Sequence, residues 1–554
     1  MHLEKSIEML DLKIAVLTAN IKEVIMKRYK TFLSISMVVF VVAGMMSGCT
    51  SQRESTSSPS PTAGAQTQQS TEETTHKLIT DEDVTIRLVR SDNPAQPMTL
   101  DNIGIQEIYK RTGVKLEVET IPGADFAEKQ KVMVSTGNMP DILYDTYNVS
   151  DFAGSGVFAC ISDYFDIMPN FKALWDANPD LKKINIDGKL YQVPVLGRYI
   201  YRFGRSPMIR EDLLVETGLE APKTFDDLYT VLKAIKEKHP DTYPLANRNG
   251  TENLFTCFGY SFGSGNNMYF DPLAGGGKYL YAQAHDEFIP MLEYLHKLYA
   301  EGLLDPDYAV ASSSQWQEKL AAGRSSFFFD NPSFAVNFNK ALAETDTNAL
   351  FGPMEIPATS SGLQRGLFYS KDDMGATTVN AKSENLEVAL KLIDYLYSDE
   401  GCDLTNFGIE GQQYDKSGDN YTLKEEVINQ YMTQTDPLRA FYGSIGGGKL
   451  GLARYIDERA QDAFFDEQTK SWYNTWSTWN FMDEMVIDPP FTAEEAETLK
   501  DMRTNITTIL AAEYDNFIIG TRPTSEWKQV QQQIIEAGAL EMEQIYADAL
   551  ARVK

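Results

Sequence analysis

The chain of 554 residues carries 50 basic and 79 acidic side chains, a formal charge of −29, with 43 % hydrophobic and 11 % aromatic residues. That apolar fraction over that length supplies more than one sizeable core, which excludes disorder, collagen-like repeats and small disulfide scaffolds. A surface with this acid excess repels phosphate backbones and anionic head groups, so a bulk nucleic-acid binder is excluded as well.

The first informative segment, residues 26–49, reads MKRYKTFLSISMVVFVVAGMMSGC: a basic start (Lys27, Arg28, Lys30), an apolar run from Phe32 to Met46, and small residues before Cys49. An apolar run this short that passes straight into a polar tract marks residues 26–48 as an export signal peptide rather than a membrane span. Met46-Ser47-Gly48-Cys49 resembles a bacterial lipobox, which implies that Cys49 is acylated and becomes the mature N-terminus. Residues 1–25 form an acidic, mixed-charge extension foreign to such a signal. Lys22 to Ile25 is encodable as AAG-GAG-GTG-AT, a ribosome-binding sequence, so the extension is expected to be untranslated and Met26 the start. The first 48 residues hold six basic and four acidic side chains, so the remainder stands at −31 and the acidity belongs to the exported part. Residues 49–77 are rich in Ser, Thr, Gln and Pro and bury too little surface to offset their ordering entropy. They are expected to be a tether, and roughly 28 residues of such coil hold a folded body about 30 Å from its anchor.

From Leu78 the pattern changes. VTIRLV predicts a strand, TLDNIGIQEIYKRTGVKLEVETI a helix, a Gly stop and a second strand, DFAEKQKVMVSTG an amphipathic helix, and PDILY (140–144) a short buried strand. Helical spacing returns over 225–238, 286–302 and 386–401, and nearly everything from FTAEEAETLKDM onward is helical. Helices alternating with short apolar strands predict an α/β body over 78–554. Cys160, Cys257 and Cys402 are scattered and odd in number, so neither a disulfide framework nor a zinc site is expected, and five histidines leave little scope for His-based catalysis.

Several segments, taken in order, are similar to one family. Ser135 to Ile142 (STGNMPDI), Gly188 to Pro194 (GKLYQVP), Ile209 to Leu214 (IREDLL), Pro222 to Leu228 (PKTFDDL), Phe270-Asp271-Pro272, Tyr299 to Pro306 (YAEGLLDP), Gly323 to Asn331 (GRSSFFFDN) and Asn406 to Tyr414 (NFGIEGQQY) resemble the extracellular solute-binding proteins of bacterial ABC importers, in their oligosaccharide-type lipoprotein branch. The resemblance implies a two-lobed periplasmic-binding-protein-like fold (type 2) with discontinuous lobes, a hinge and an interlobe cleft. Lobe 1 is expected at about 78–195 plus 375–440 and lobe 2 at about 205–370, with a helical 440–554 packing on both. It further implies a monomer that is lipid-anchored on the extracellular face of the membrane, in a Gram-positive bacterium. That monomer captures an oligosaccharide by closing, delivers it to permease subunits, and does no chemistry. The alternatives are a surface-anchored glycan-degrading enzyme, or a binding protein for peptides or another non-sugar solute.

Three motifs are weighed against that reading. Gly259 to Gly263 (GYSFG) has the form of a hydrolase nucleophile turn and follows a possible strand, LFTCF, but no helix follows it, so it reads as a loop at the cleft edge. Gly443 to Lys449 (GSIGGGK) nearly spells a phosphate-binding loop but places Leu450 where the Mg²⁺-binding Ser/Thr belongs, and no apolar strand leads in, so it is expected to be a plain loop. Asp415 to Glu426 has part of an EF-hand pattern with Asn420 in place of the turn glycine, so calcium is the one candidate cofactor and a hairpin turn the plainer reading.

Sugar clefts stack pyranose faces on aromatic rings and meet hydroxyls with fixed polar partners. Trp472, Trp476 and Trp479 share one helical stripe, and Trp316 starts a helix; each is a stacking candidate or a core residue. Tyr144 with Asp145, and Asp330 with Asn331, end apolar strands, where ligands gather in α/β folds. Glu410 lies in a turn that the family places near the cleft. Tyr199, Tyr201, Arg202 and Arg205 lie where the chain is expected to cross between lobes. With Arg198 and Arg210 they form a basic cluster, which makes an acidic sugar conceivable; the alternative for Arg210 is a structural carboxylate partner.

Overall fold

The computed structural model describes residues 78–93, 96–198, 204–368, 375–434 and 436–552. The extension, signal peptide and tether with Cys49, and the candidates Tyr199, Tyr201 and Arg202, lie outside these residues. Thr75–Lys554 forms one compact unit.

The predicted β-α-β opening is present as β1 (Val84–Asp92), α1 (Ile103–Thr112) and β2 (Val114–Pro122), with β1 and β2 parallel from Val84↔Val114 to Asp92↔Pro122. Helix α1 begins where the Asn102 side chain accepts the Ile105 N–H. It ends at Gly113, whose φ of 77° lets its own N–H return to the Tyr109 carbonyl. Helix α2 (Gly123–Thr136) leads to β3 (Ile142–Leu143), parallel on the other edge of β1. Next come β4 (Val193–Pro194), β5 (Leu196–Arg198) and β6 (Ser206–Arg210). Helix α3 (Phe225–Lys238) opens with a Thr224/Asp227 capping box and is followed by α4 (Thr251–Phe258).

A hairpin of β7 (Met268–Asp271) and β8 (Lys278–Tyr281) precedes α5 (Ile289–Ala300), α6 (Ser313–Ala321), β9 (Phe327–Asp330), β10 (Phe351–Pro353), β11 (Gly366–Phe368), β12 (Ala376–Val379) and α7 (Leu386–Tyr397). The carboxy-terminal part holds the hairpin β13 (Tyr414–Ser417) and β14 (Asn420–Leu423), then β15 (Tyr455–Asp457), α8 (Glu467–Ser477), β16 (Met482–Glu484) and α9 (Ala493–Ala511), and further helices to Ala551.

Two sheets organise two lobes. The first has the order β2-β1-β3-β12-β4, β12 running antiparallel between β3 and β4; the second is the antiparallel β10-β6-β9. Around the first sheet, Ile86, Leu88, Ile142, Phe171, Leu390 and Ile393 form an apolar core. Around the second, buried side chains between Met208 and Ile356 share a core with Trp472, Trp476, Leu499, Phe517 and Trp527. A smaller cluster contains Phe407, Tyr414, Phe441 and Phe464, with Ile103 packed against it. Two further parallel pairs join distant parts of the chain, β11 with β16 and β5 with β15. Gly204 bridges Phe368, and any Cβ there would meet the Leu367 carbonyl oxygen at 1.6 Å, so the approach of the two segments requires glycine.

Two sequence expectations change. LFTCF is helical in α4, because Leu254, Phe255, Cys257 and Phe258 all bury on one helical face, and a five-residue apolar run does not distinguish strand from helix by period. Gly443 to Ile445 is the last turn of the helix Pro437–Ile445 rather than loop, ended by Gly446 at φ 62°. Asp415 to Leu423 lies in the hairpin β13–β14, with Gly418 left-handed at its tip and Asp415 paired with Lys424, and Glu426 falls in the helix Glu425–Met432 that follows.

Candidate functional site

The carboxyl end of β3 opens into a loop whose backbone is fixed from three sides. The Thr146 N–H donates to the Ala376 carbonyl at 2.9 Å, and its Oγ1 lies 3.0 Å from both the Leu143 carbonyl and Thr378 Oγ1. The buried Gln130 of α2 clamps Tyr147, accepting its N–H at 3.0 Å and donating to its carbonyl at 2.9 Å. Asp145 and Asn148, on either side, take left-handed φ of 54° and 52°, tolerated by residues whose short polar side chains satisfy local backbone. The result is a Tyr147 ring that rests its edge on Phe126 at 6.0 Å and remains 51 % exposed.

That loop is one wall of a cavity of about 730 Å³, within the range of roughly 300–1,000 Å³ typical of small-molecule sites. On the same side stand Lys183 to Ile186 and Gln192; Asn185 Oδ1 is buried with no hydrogen-bond partner among the described residues, which leaves an acceptor for a donor entering the cavity. The opposite wall comes from the second lobe: Thr256 and Tyr260 at the end of α4, Asn266 just before β7, Met268, Tyr269 and Phe270 within it, and Tyr279 of β8. Leu367 and the stretch from Glu484 to Phe491 close it.

The second wall is held by a buried charge network. Arg365, 4 % exposed, pairs with Asp271 at 3.1 Å and Asp483 at 3.2 Å. It donates to the Tyr260 hydroxyl at 2.6 Å and lies 4.2 Å over that ring. Tyr260 in turn donates to Asp483 at 2.6 Å. Burial works against the Arg365 cation, and Tyr260, Asp271 and Asp483 outweigh it and raise its pKa further; burial, then the Asp483 bond, push the Tyr260 hydroxyl well up, so it stays a neutral donor. Tyr260 meets Tyr269 edge-on at 6.4 Å, and Phe270 meets Tyr279 at 5.2 Å. Aromatic faces with fixed polar atoms on two opposed walls are equipped to bind a polyhydroxylated solute.

The sequence candidates fall in different places. Tyr144 is fully buried under the loop, its hydroxyl donating to the Leu452 carbonyl at 3.2 Å and its ring covered by Arg454 at 3.7 Å, so it supports the wall rather than lining it. Asp145 pairs with Arg90 at 3.6 Å one residue before the lining begins. Trp316 is 1 % exposed among Phe328, Phe334 and Phe338, and no face is left for a sugar. Trp472, Trp476 and Trp479 are likewise buried, in the core of the second lobe.

Asp330, 3 % exposed, is bound by Arg248 at 2.8 Å and Arg205 at 3.3 Å. Burial pushes its carboxyl up, and the arginines outweigh that and hold it below the usual carboxylate range. Asn331 caps the turn that follows, accepting the Ser333 N–H. Glu410 is an exposed turn residue away from the cavity lining. Arg210 forks onto Asp212 at 2.6 Å, the structural partner weighed above. The residues that do line the cavity, Tyr147, Tyr260 and Tyr269, were not singled out individually. Tyr147 lies three positions beyond Tyr144, and Tyr260 inside the GYSFG motif read as a cleft-edge loop.

Residues 92–401, more than half the chain, match the family model described as bacterial extracellular solute-binding protein. The polygalacturonan/rhamnogalacturonan-binding protein YtcQ of Bacillus subtilis is 30 % identical over 354 residues, 61 % of this chain and 68 % of its own length. The fructooligosaccharide ABC transporter substrate-binding protein FusA of Streptococcus pneumoniae is 26 % identical over 351 residues, 59 % of this chain and 63 % of its own. The crystal structure of the alginate-binding protein AlgQ2 without calcium ion superposes with a TM-score of 0.74 at 21 % identity, covering 85 % of this chain and 99 % of that one, a likeness of fold.

Proposed function

We propose, starting from the fact that the chain belongs to the bacterial extracellular solute-binding protein family, that it is the capture component of an ABC importer and that its solute is an oligosaccharide. The observation that carries this reading is the cavity between the lobes, with Tyr147 on one wall and Tyr260 and Tyr269 on the other. A solute touching both walls gains contacts in the closed arrangement that it lacks in the open one, and that differential affinity shifts the hinge toward closure. Permease subunits then read the closed shape. YtcQ and FusA, whose names specify saccharides, support the same ligand class.

In this reading the solute leaves unaltered, Cys49 carries the lipid that keeps the protein at the extracellular face of a Gram-positive membrane, and the protein works as a monomer. Lobe 1 is about 78–195 with 375–440, lobe 2 about 205–370, and the helical 440–554 packs on both. The test is thermal unfolding of the Thr75–Lys554 body with a panel of oligosaccharides, combined with chromatography of the recovered sugars. At a hundredfold excess over Kd the expected stabilisation is about 2.7 kcal/mol, with the sugar intact. Shortened products would establish the glycan-degrading enzyme instead, and stabilisation by peptides alone the non-sugar binder.

A further inference from the structure

Beside the cavity lining, one exposed turn of the first lobe holds the start of a helix from the second. Ile186 and Lys189 exchange backbone hydrogen bonds at 2.8 and 2.9 Å around Asp187-Gly188, whose φ values of 49° and 72° are those of the two-residue hairpin turn that Asp-Gly favours. The turn needs the backbone of Asp187; its carboxylate is used elsewhere. Oδ2 accepts the N–H of Ala493, the first residue of α9, at 3.1 Å, and the Asp187 N–H donates to the Phe491 carbonyl at 3.2 Å. Thr492 and Glu495 cap this helix end reciprocally, each side chain accepting the other's backbone N–H, which leaves the Ala493 N–H to Asp187. The opening N–H groups of a helix have no partner within it and carry partial positive charge, so a carboxylate suits this position.

The two partners are rooted in different cores. Leu181 and Leu190, on either side of the turn, bury in the first, and Leu499, Ile506 and Leu510 of α9 bury in the second. Farther along α9, Lys500 lies 5.7 Å over the Phe152 ring, and Arg503 faces Asp151 of the first lobe at 3.9 Å. These bonds are polar or charged, and water replaces each of them when the lobes part, as a reversible contact between lobes requires. Ile186 and Phe491 themselves line the cavity, so the clasp closes where the two walls meet.

Resting on the oligosaccharide reading above, we infer that Asp187 is a positioning residue for capture: its carboxylate engages the Ala493 N–H as the lobes close and holds the closed arrangement around the solute. A bond made only in that arrangement slows release of the solute and leaves its entry unchanged.

The experiment is stopped-flow binding and release by the Thr75–Lys554 body, with maltotetraose, xylotetraose, kestose and tetragalacturonate as probes. Asp187→Gly removes the carboxylate and keeps the left-handed turn. Ala493→Pro removes the N–H from the other side, at a first helical position where proline is well tolerated. For each probe that binds wild type, either substitution is expected to speed release by about three- to tenfold with the association rate within about twofold. The double variant is expected to release no faster than the single ones, because both delete one bond. Asp187→Asn, which keeps an acceptor without its charge, falls between wild type and Asp187→Gly. A release rate unchanged in Asp187→Gly overturns the clasp and leaves the oligosaccharide reading standing. Effects that multiply in the double variant overturn the pairing of Asp187 with Ala493. Binding of none of the probes by wild type overturns the oligosaccharide reading, and the clasp with it.

Discussion

Replacing Trp316 by alanine separates a core indole from a cleft indole. The ring is 1 % exposed, meets Phe328, Phe334 and Phe338 edge-on at 5.5, 5.1 and 5.4 Å, and donates its Nε1–H to the Ala246 carbonyl at 3.3 Å. Truncating an aromatic side chain in a close-packed site costs about 3–5 kcal/mol, the transfer free energy of the lost atoms plus the cavity left behind. Three edge-to-face pairs, each contributing about 0.5–1.5 kcal/mol beyond its area, and the lost hydrogen bond place this site at the upper end, near 5 kcal/mol. Arg248 also loses the ring face it covers at 5.1 Å, although its pair with Asp330 stays. Urea unfolding of wild type and Trp316→Ala, compared at their midpoints, measures the loss; calorimetry with a bound oligosaccharide, at a temperature where the variant is folded, measures affinity. The expected outcome is a large fall in stability with Kd within about twofold of wild type. A stability loss under about 1 kcal/mol accompanied by lost binding would refute the core assignment and restore Trp316 to the ligand.

Tyr147→Ala should behave in the opposite way, with urea midpoints nearly unchanged because the ring is half exposed, and affinity lowered at least tenfold in the same calorimetric assay. Arg365→Met removes the partner of two carboxylates; with Asp271 largely buried the cost is about 3 kcal/mol, and ligand affinity falls as well because Tyr260 loses its fixed position, both read by thermal unfolding with and without sugar. The hydrogen bond that the His285 ring donates to the Glu543 carboxylate at 2.6 Å raises the imidazole above its usual pKa against the opposing effect of burial. Its stabilisation is therefore complete below the unfolded value of about 6.5 and is lost as pH rises through the higher folded value. Urea midpoints should decline over that interval in wild type and show a flatter profile in His285→Gln; parallel profiles would contradict the assignment.

Elements whose signals are local were legible in the sequence. Helix α3 runs over the predicted 225–238 because its Thr224/Asp227 cap and apolar spacing both lie inside the segment. The site was legible to within a loop but not to the residue. The strand-end rule points to Tyr144 and Asp145, whereas the tyrosine that lines the cavity is Tyr147, because its backbone is turned by Gln130, 17 residues earlier. Tyr260 depends on Arg365 and Asp483, 105 and 223 positions away, and no window of sequence contains that network. The tryptophans stay undecided in the sequence for a related reason. An indole at the start of a helix looks the same on paper whether it faces solute or protein, and the three phenylalanines that enclose Trp316 come from β9 and the helix Phe334–Ala343.

The place of β12 between β3 and β4 sets a schedule for biogenesis. With 235 residues separating Leu143 from Thr378, its partner in the ladder, a ribosome needs roughly ten to fifty seconds after finishing β3 before the missing strand exists. Throughout that interval β3 has a bare edge and the sheet does not close. The same geometry makes any product that ends before Ala376 a template for edge-to-edge aggregation.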